Sequence, residues 1–311
     1  MDVLDWLLDS DPALRWQVLR DLTDASSEEV SAERARIAET GWGARLLGLQ
    51  GSDGQWDGGT YFPSPFDNSE PGQPWTATTY SLLLLREFGL DPGSEAARTA
   101  VGRVSECSRW EEGGQPFFDG EVEPCINGMA VALGAYFGAN VDGIVSRLLA
   151  EQLDDGGWNC EAERGSTRSS FDTTINVLEG LLEYGRAGDR SPAVAAARQR
   201  GEDYLLERGL LRRKSTGELI EPQWLQFSYP VRWHYDALRG LDYFRAAGAA
   251  PDDRTAEALA LVESKRQPDG TWLLENSHPG RIHFPLEAGD GTPSRWNTLR
   301  ARRVLDWAER S

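Results

Sequence analysis

Hydrophobic positions along the chain fall into two kinds of segment that alternate from end to end. One kind opens on a polar or aromatic cluster and runs into an apolar helix with short side chains. It occurs six times: ALRWQVLRDL from Ala13, PWTATTYSLLLLREFG from Pro74, EPCINGMAVALGAYFG from Glu123, SSFDTTINVLEGLLEYG from Ser169, VRWHYDALRGLDYF from Val231 and PSRWNTLRARRVLDW from Pro293. Pro74 and Pro124 mark helix starts at Trp75 and Cys125, and Ser170 and Ser294 are N-cap candidates. The other kind is charged, with apolar residues at helical spacing on one face only: SSEEVSAERARIAETGWGARLLGLQ, SEAARTAVGRVSEC, VDGIVSRLLAEQL, SPAVAAARQRGEDYLLER and DDRTAEALALVESKR. A helix without a polar face belongs inside and an amphipathic one against solvent. The alternation therefore predicts an all-α, two-layer helical barrel with six inner helices around a cavity. No run alternates with period two over a useful length, so strands are expected to be rare.

A turn of one type follows three of the outer helices: Gln50-Gly-Ser-Asp-Gly-Gln-Trp56, Gln152-Leu-Asp-Asp-Gly-Gly-Trp158 and Gln267-Pro-Asp-Gly-Thr-Trp272. Asp-Gly and Gly-Gly supply the positive φ angles of a tight turn. The Gln can hydrogen-bond the turn backbone while the Trp stacks over it and clamps successive hairpins. This Gln-turn-Trp unit resembles the repeat of squalene cyclases and the related turn of protein prenyltransferase β-subunits. The resemblance runs from about Gln50 to the C-terminus. It implies an α/α toroid, a six-hairpin barrel of the terpenoid cyclase/prenyltransferase type, with the Trp turns on its outside. Residues 1–311 are expected to form one such domain, since Gly51 to Pro74 and Lys214 to Pro230 are too short and too aromatic for flexible linkers and read as ordered loops over one mouth.

Composition narrows the function classes. A net charge of −18 disfavours nucleic acid, which is bound through clustered Lys and Arg. No apolar run approaches a membrane span, and the acidic N-terminus is unlike a signal peptide, so a cytoplasmic location is expected. Three cysteines, Cys107, Cys125 and Cys160, are too few for a disulfide framework.

The first turns of the inner helices are where side chains from different repeats would converge. In prenyltransferase β-subunits an Asp-x-Cys opens one inner helix, a Gly-Gly-aromatic turn follows and a Phe-His-Thr opens the next, and their Asp, Cys and His bind zinc. Here the order is Glu123-Pro-Cys125, Asp155-Gly-Gly-Trp158 and Phe171-Asp172-Thr173, with Asp172 standing where the family has His. The resemblance implies Glu123, Cys125 and Asp172 as ligands of a divalent metal such as zinc; Cys160 and His234 could complete the shell where geometry allows. Alternatively, Asp172-Thr-Thr174 is similar to the Asp-Cys-Thr of oxidosqualene cyclases, which implies an acid that protonates an alkene, without the companion acids of the bacterial enzymes. Asp172, His234 and Asp236 are the catalytic candidates. Trp75, Trp233, Tyr235, Trp296 and Asn297 are the substrate-binding candidates, their rings offering π-faces to a carbocation. His278 and His283 sit on a loop after the last Trp turn. Two functions remain open: an enzyme acting on an apolar, isoprenoid-like small molecule by cyclisation, isomerisation or metal-assisted chemistry, or a non-catalytic toroid that binds a hydrophobic ligand or a partner protein.

Overall fold

Local capping chemistry sets the helix ends. The computed structural model describes residues 2–66, 69, 71–188 and 191–309. In it, the Asp11, Ser170 and Asp236 side chains accept from the Ala13, Thr173 and Arg239 amides and so open three of the inner helices. Gly89, Gly138 and Gly248 end three helices in the left-handed conformation that favours glycine. The helices are α1 (Val3–Leu8), α2 (Pro12–Leu22), α3 (Ser27–Ala35), α4 (Gly41–Leu47), α5 (Thr78–Phe88), α6 (Glu95–Cys107), α7 (Pro124–Phe137), α8 (Asp142–Ala150), α9 (Phe171–Arg186), α10 (Pro192–Leu206), α11 (Ala237–Ala247), α12 (Ala256–Ser264) and α13 (Arg295–Glu309). Among the described residues the only paired strands are β1 (Trp272–Leu273) and β2 (Pro293–Ser294), which are antiparallel.

The six apolar segments become α2, α5, α7, α9, α11 and α13. Each packs on the next and α13 returns to α2, so the six close into a ring, while α3, α4, α6, α8, α10, α12 and α1 lie on its outside. The fold is thus an all-α toroid. Two inner helices start later than their sequence suggests. Residues 75–77 are extended and α5 begins at Thr78, while Asp236 caps α11 so that Trp233, His234 and Tyr235 precede the helix. The outer segment 26–50 is broken, because Gly41 turns left-handed and the next amide, that of Trp42, donates to Asp11 Oδ2. A Cβ at Gly41 would collide with that carboxylate.

The three Trp turns repeat the same bonds. Trp56, Trp158 and Trp272 each donate from Nε1 to a carbonyl ten residues back, in Leu46, Leu148 and Val262, at 2.7 Å. Each backbone amide donates to a threonine hydroxyl in the first turns of the next inner helix: Thr78, Thr174 and Thr298. Gln50 and Gln152 bridge their own turn to the following outer helix through Ala100 and Ala197, while among the described residues the Gln267 side chain bonds only to Lys265 beside it. All three rings are fully buried as wedges between the two layers, while Asp53, Asp154 and Asp269 of the turns stay exposed.

Glycines set the closest approach in the ring. A Cβ at Gly180 on α9 would lie 2.4 Å from the Gly128 carbonyl oxygen on α7. Gly180→Ala should therefore force these helices apart and destabilise the fold by about 1–3 kcal/mol, read from urea unfolding. Gly185→Ala, on the same helix with open space around its Cβ, should not.

Candidate functional site

Polar residues in the first turns of the inner helices serve the backbone rather than a shared pocket. Beyond the three threonines, Asn297 is buried and donates to the Phe227 and Leu273 carbonyls. Asp236 is buried and accepts from the Arg239 and Ser228 amides. Asp172 accepts from the Tyr235 amide at 2.7 Å, which ties α9 to the 229–236 loop; burial raises its pKa against that bond and the charge of Arg239. Tyr235 packs with Phe171 and Trp224 and donates to the Leu210 carbonyl. His234 is sandwiched between Trp233 at 3.7 Å and His278 at 3.8 Å, and burial holds its pKa down to about 3. Trp233 Nε1 donates to Gln73, and Trp75 Nε1 to the His278 and Pro279 carbonyls. The candidates thus scatter: Trp75 lines a cavity under the 274–289 loop, and Trp296 alone among them lines the central one.

The central cavity, about 580 Å³, lies farther along the inner helices, and all six contribute to its wall. Its lining is not the apolar one expected. Arg20, Arg34, Arg86, Arg186, Arg239, Arg300 and Arg303 face Glu87, Glu179, Glu183 and Asp242, beside Trp16, Leu182, Tyr229 and Trp296. Arginine thus outnumbers acid there, although the whole chain carries −18. Most of these charges are paired. Arg239 grips Glu179 through two bonds of 2.8 Å, Arg86 meets Glu183 at 2.7 Å, and Arg303 meets Asp21. Burial would raise the Glu179 pKa, but the Arg239 guanidinium overrides it and holds that carboxylate below its ordinary range.

Glu87 is the exception. Protein surrounds it on every side and the surface it keeps opens on the cavity; among the described residues no hydrogen bond or ion pair reaches its carboxyl, and Oε2 is buried without a partner. Burial raises its pKa, with Arg232 and Arg86 acting in the opposite direction. Four more unpartnered polar atoms belong to residues of the same wall: the Tyr229 hydroxyl, Trp296 Nε1, Arg86 Nε and Arg303 Nε. The Tyr229 and Trp296 rings stack at 4.5 Å. A carboxyl whose pKa is raised by burial, in a wall that also carries aromatic rings, has the chemistry of a proton donor. Acids and arginines interrupting otherwise apolar inner helices were the sequence signal for this wall.

A second cluster lies on α7 and the loop before α9. Glu123, Cys125 and Cys160 bring one oxygen and two sulfurs within 4.8 Å of one another. The sulfurs are 2.9 Å apart, and Cys125 Sγ is 3.6 Å from Glu123 Oε2. The Cys160 pKa is lowered by its bond to Cys125, whose own thiol is raised by Cys160 and by burial, so one thiol supports the other as thiolate. Two sulfurs and a carboxylate form a donor set suited to zinc. Cys160 thus occupies the place expected of Asp172, whose carboxylate faces the Tyr235 amide, and His234 lies elsewhere in its ring stack.

No protein-family model matches the chain, and no curated protein does. Among solved structures it is similar to a protein from Actinoplanes, at 15% identity over 96% of this chain and 90% of that one, with a TM-score of 0.45. It is also similar to the type II terpene cyclase MstE from Scytonema, at 15% identity over 89% of this chain and 98% of that one, with a TM-score of 0.40. A variant of MstE in complex with geranylgeranyl dihydroxybenzoate, its substrate, gives 15% identity over 89% and 95% and a TM-score of 0.38. Likenesses this distant leave function to be read from the side chains. No helix among the described residues is long and apolar enough to cross a membrane.

Proposed function

We propose that the chain is an acid-catalysing enzyme of terpenoid cyclase type whose reaction chamber is the central cavity and whose proton donor is Glu87. The observation that carries this reading is the Glu87 carboxyl, unpaired in a wall where the other three acids are held by arginines. Protonation of an alkene by a neutral carboxyl creates a cation, and the stacked Tyr229 and Trp296 rings offer π-faces to it. The surplus of arginine favours an isoprenoid-like substrate with an acidic head over a pure hydrocarbon. Incubation of the purified protein with linear isoprenoids, both hydrocarbons and prenylated acids, should yield a cyclised or isomerised product by gas chromatography–mass spectrometry. The network of paired arginines also favours a second reading, a non-catalytic toroid that holds an anionic ligand. Retention of a prenylated acid in native mass spectrometry without any product would select it.

The Glu123–Cys125–Cys160 cluster would hold a zinc-type ion, which supplies Lewis acidity when bound. After equilibration with zinc and desalting, the wild type should retain the metal by ICP-MS, with Cys125→Ser and Cys160→Ser losing it and Asp172→Asn keeping it. Metal content unchanged in the cysteine variants would reduce the cluster to packing.

A further inference from the structure

The loop of residues 274–289 folds over one end of the ring and encloses a second cavity of about 390 Å³. It is seated firmly: the Trp75 amide donates to the Arg281 carbonyl at 2.7 Å, and a Cβ at Gly280 would overlap the Gln73 carbonyl. Leu84, Leu274, Ile282, Phe284 and Leu286 make most of the cavity apolar. Of the polar groups that break that lining, two from different segments carry side-chain nitrogens with no hydrogen-bond partner among the described residues.

One is Arg232. It is 8% exposed, lines the cavity, and among the described residues makes no hydrogen bond and no ion pair; the Trp75 ring lies 5.3 Å from the guanidinium carbon, and the opposing charge that faces it is Glu87, beyond ion-pair distance. A guanidinium is always charged, and burying it without a counter-charge costs several kcal/mol. Its backbone sits at φ +57, a conformation that non-glycine residues adopt at a cost of order 1–3 kcal/mol. The attraction of Glu87, beyond ion-pair distance, offsets the first of these costs only in part. The other group is His278, whose Nε2 is buried with no partner. Burial and the charges of Arg232 and Arg239 lower its pKa to about 4, so the imidazole is neutral near pH 7, and its Nε2–H tautomer can donate to a ligand.

We propose that this cavity is a binding site for a small apolar carboxylic acid, its carboxylate held by Arg232 and His278 and its body by the aliphatic and aromatic walls. One guanidinium beside a neutral imidazole balances a single negative charge. A phosphate dianion would require more cations than are there. The other ionisable groups that face Arg232 are Glu87, Tyr80 and Tyr229. Glu287 also lines the cavity, but its carboxylate is occupied by the Ser294 hydroxyl and the Trp296 amide. His283 is occupied by Ser81. The site is separate from the central cavity, with Tyr229 as a shared wall, and does not depend on Glu87 being a proton donor.

Isothermal titration of the full-length protein at pH 7 with octanoate, octan-1-ol and inorganic phosphate tests this. Octanoate should bind the wild type, and Arg232→Gln should weaken it by roughly 10- to 100-fold, the worth of a charge-assisted contact. Octan-1-ol should bind both proteins equally weakly, and phosphate neither. The chain has three histidines, so the imidazole resonance of His278, assigned through His278→Asn, reports location. It should shift in the wild type with the same affinity as the heat signal. That second readout decides the matter if Arg232→Gln fails to fold. Octanoate binding that ignores Arg232, that leaves His278 unmoved, or that is outdone by phosphate would overturn the assignment.

Discussion

Trp158→Ala should destabilise the fold by about 3–5 kcal/mol in urea unfolding, the usual cost of truncating a buried tryptophan. The ring is wholly buried between layers, its Nε1 holds the Leu148 carbonyl at the end of α8, and its amide is held by Thr174 at the start of α9. Alanine would leave a cavity and remove the donor that satisfies Leu148. Trp56→Ala and Trp272→Ala should cost about as much, because their bonds are the same to the atom. Gln152→Ala, which loses bonds to Gly156 and Ala197, should cost more than Gln267→Ala, which loses only one to Lys265. Widely unequal tryptophan costs would break the equivalence of the repeats.

Glu87→Gln should raise stability while removing turnover. A buried carboxyl without a partner costs about 1–3 kcal/mol, which for a chain of this size is a gain of roughly 2–6 °C in melting temperature when the charge is removed. The pH dependence has a definite sign. Burial raises the folded pKa above the unfolded value, so the folded state binds the extra proton. Wild-type stability therefore falls as pH rises from the ordinary glutamate range through the folded pKa, and stays lower above it. The advantage of the Gln variant should be small in acid, grow through that window and then level off. Product formation should drop by about 10²- to 10⁴-fold, the contribution of a positioned proton donor. Gain in stability with loss of function is the mark of a strained functional group.

The ring was legible in the sequence and the chemistry of its centre was not, for physical reasons that particular residues make plain. An apolar helix with no polar face can only be an inner one, so all six inner segments were found. The starts at Trp75 and Trp233 were read too early, because aromatic residues in an extended approach look like a first helical turn until the cap, Asp236 in one case, is seen. The first turns were expected to converge on a ligand. Thr78, Thr174 and Thr298 instead receive the Trp turns, and the cavity begins beyond them. Charges such as Glu87, Glu179 and Arg300 inside apolar helices pointed to that wall, and none of them was singled out from the sequence. Whether each finds a partner is decided by helices far apart in sequence: Arg239 reaches Glu179, while among the described residues no hydrogen bond or ion pair reaches the Glu87 carboxyl. The same holds for Cys160, which meets Cys125 only because consecutive hairpins close side by side.

The direct test is the titration of one carboxyl. Difference infrared spectroscopy of the wild type against Glu87→Gln, followed from pH 4 to pH 8, isolates the carbonyl band of protonated Glu87. That band should persist above the ordinary glutamate midpoint of about 4.3 and should respond when a prenylated acid enters the cavity. A band that disappears at or below that midpoint, with or without the acid, would contradict Glu87 as the proton donor.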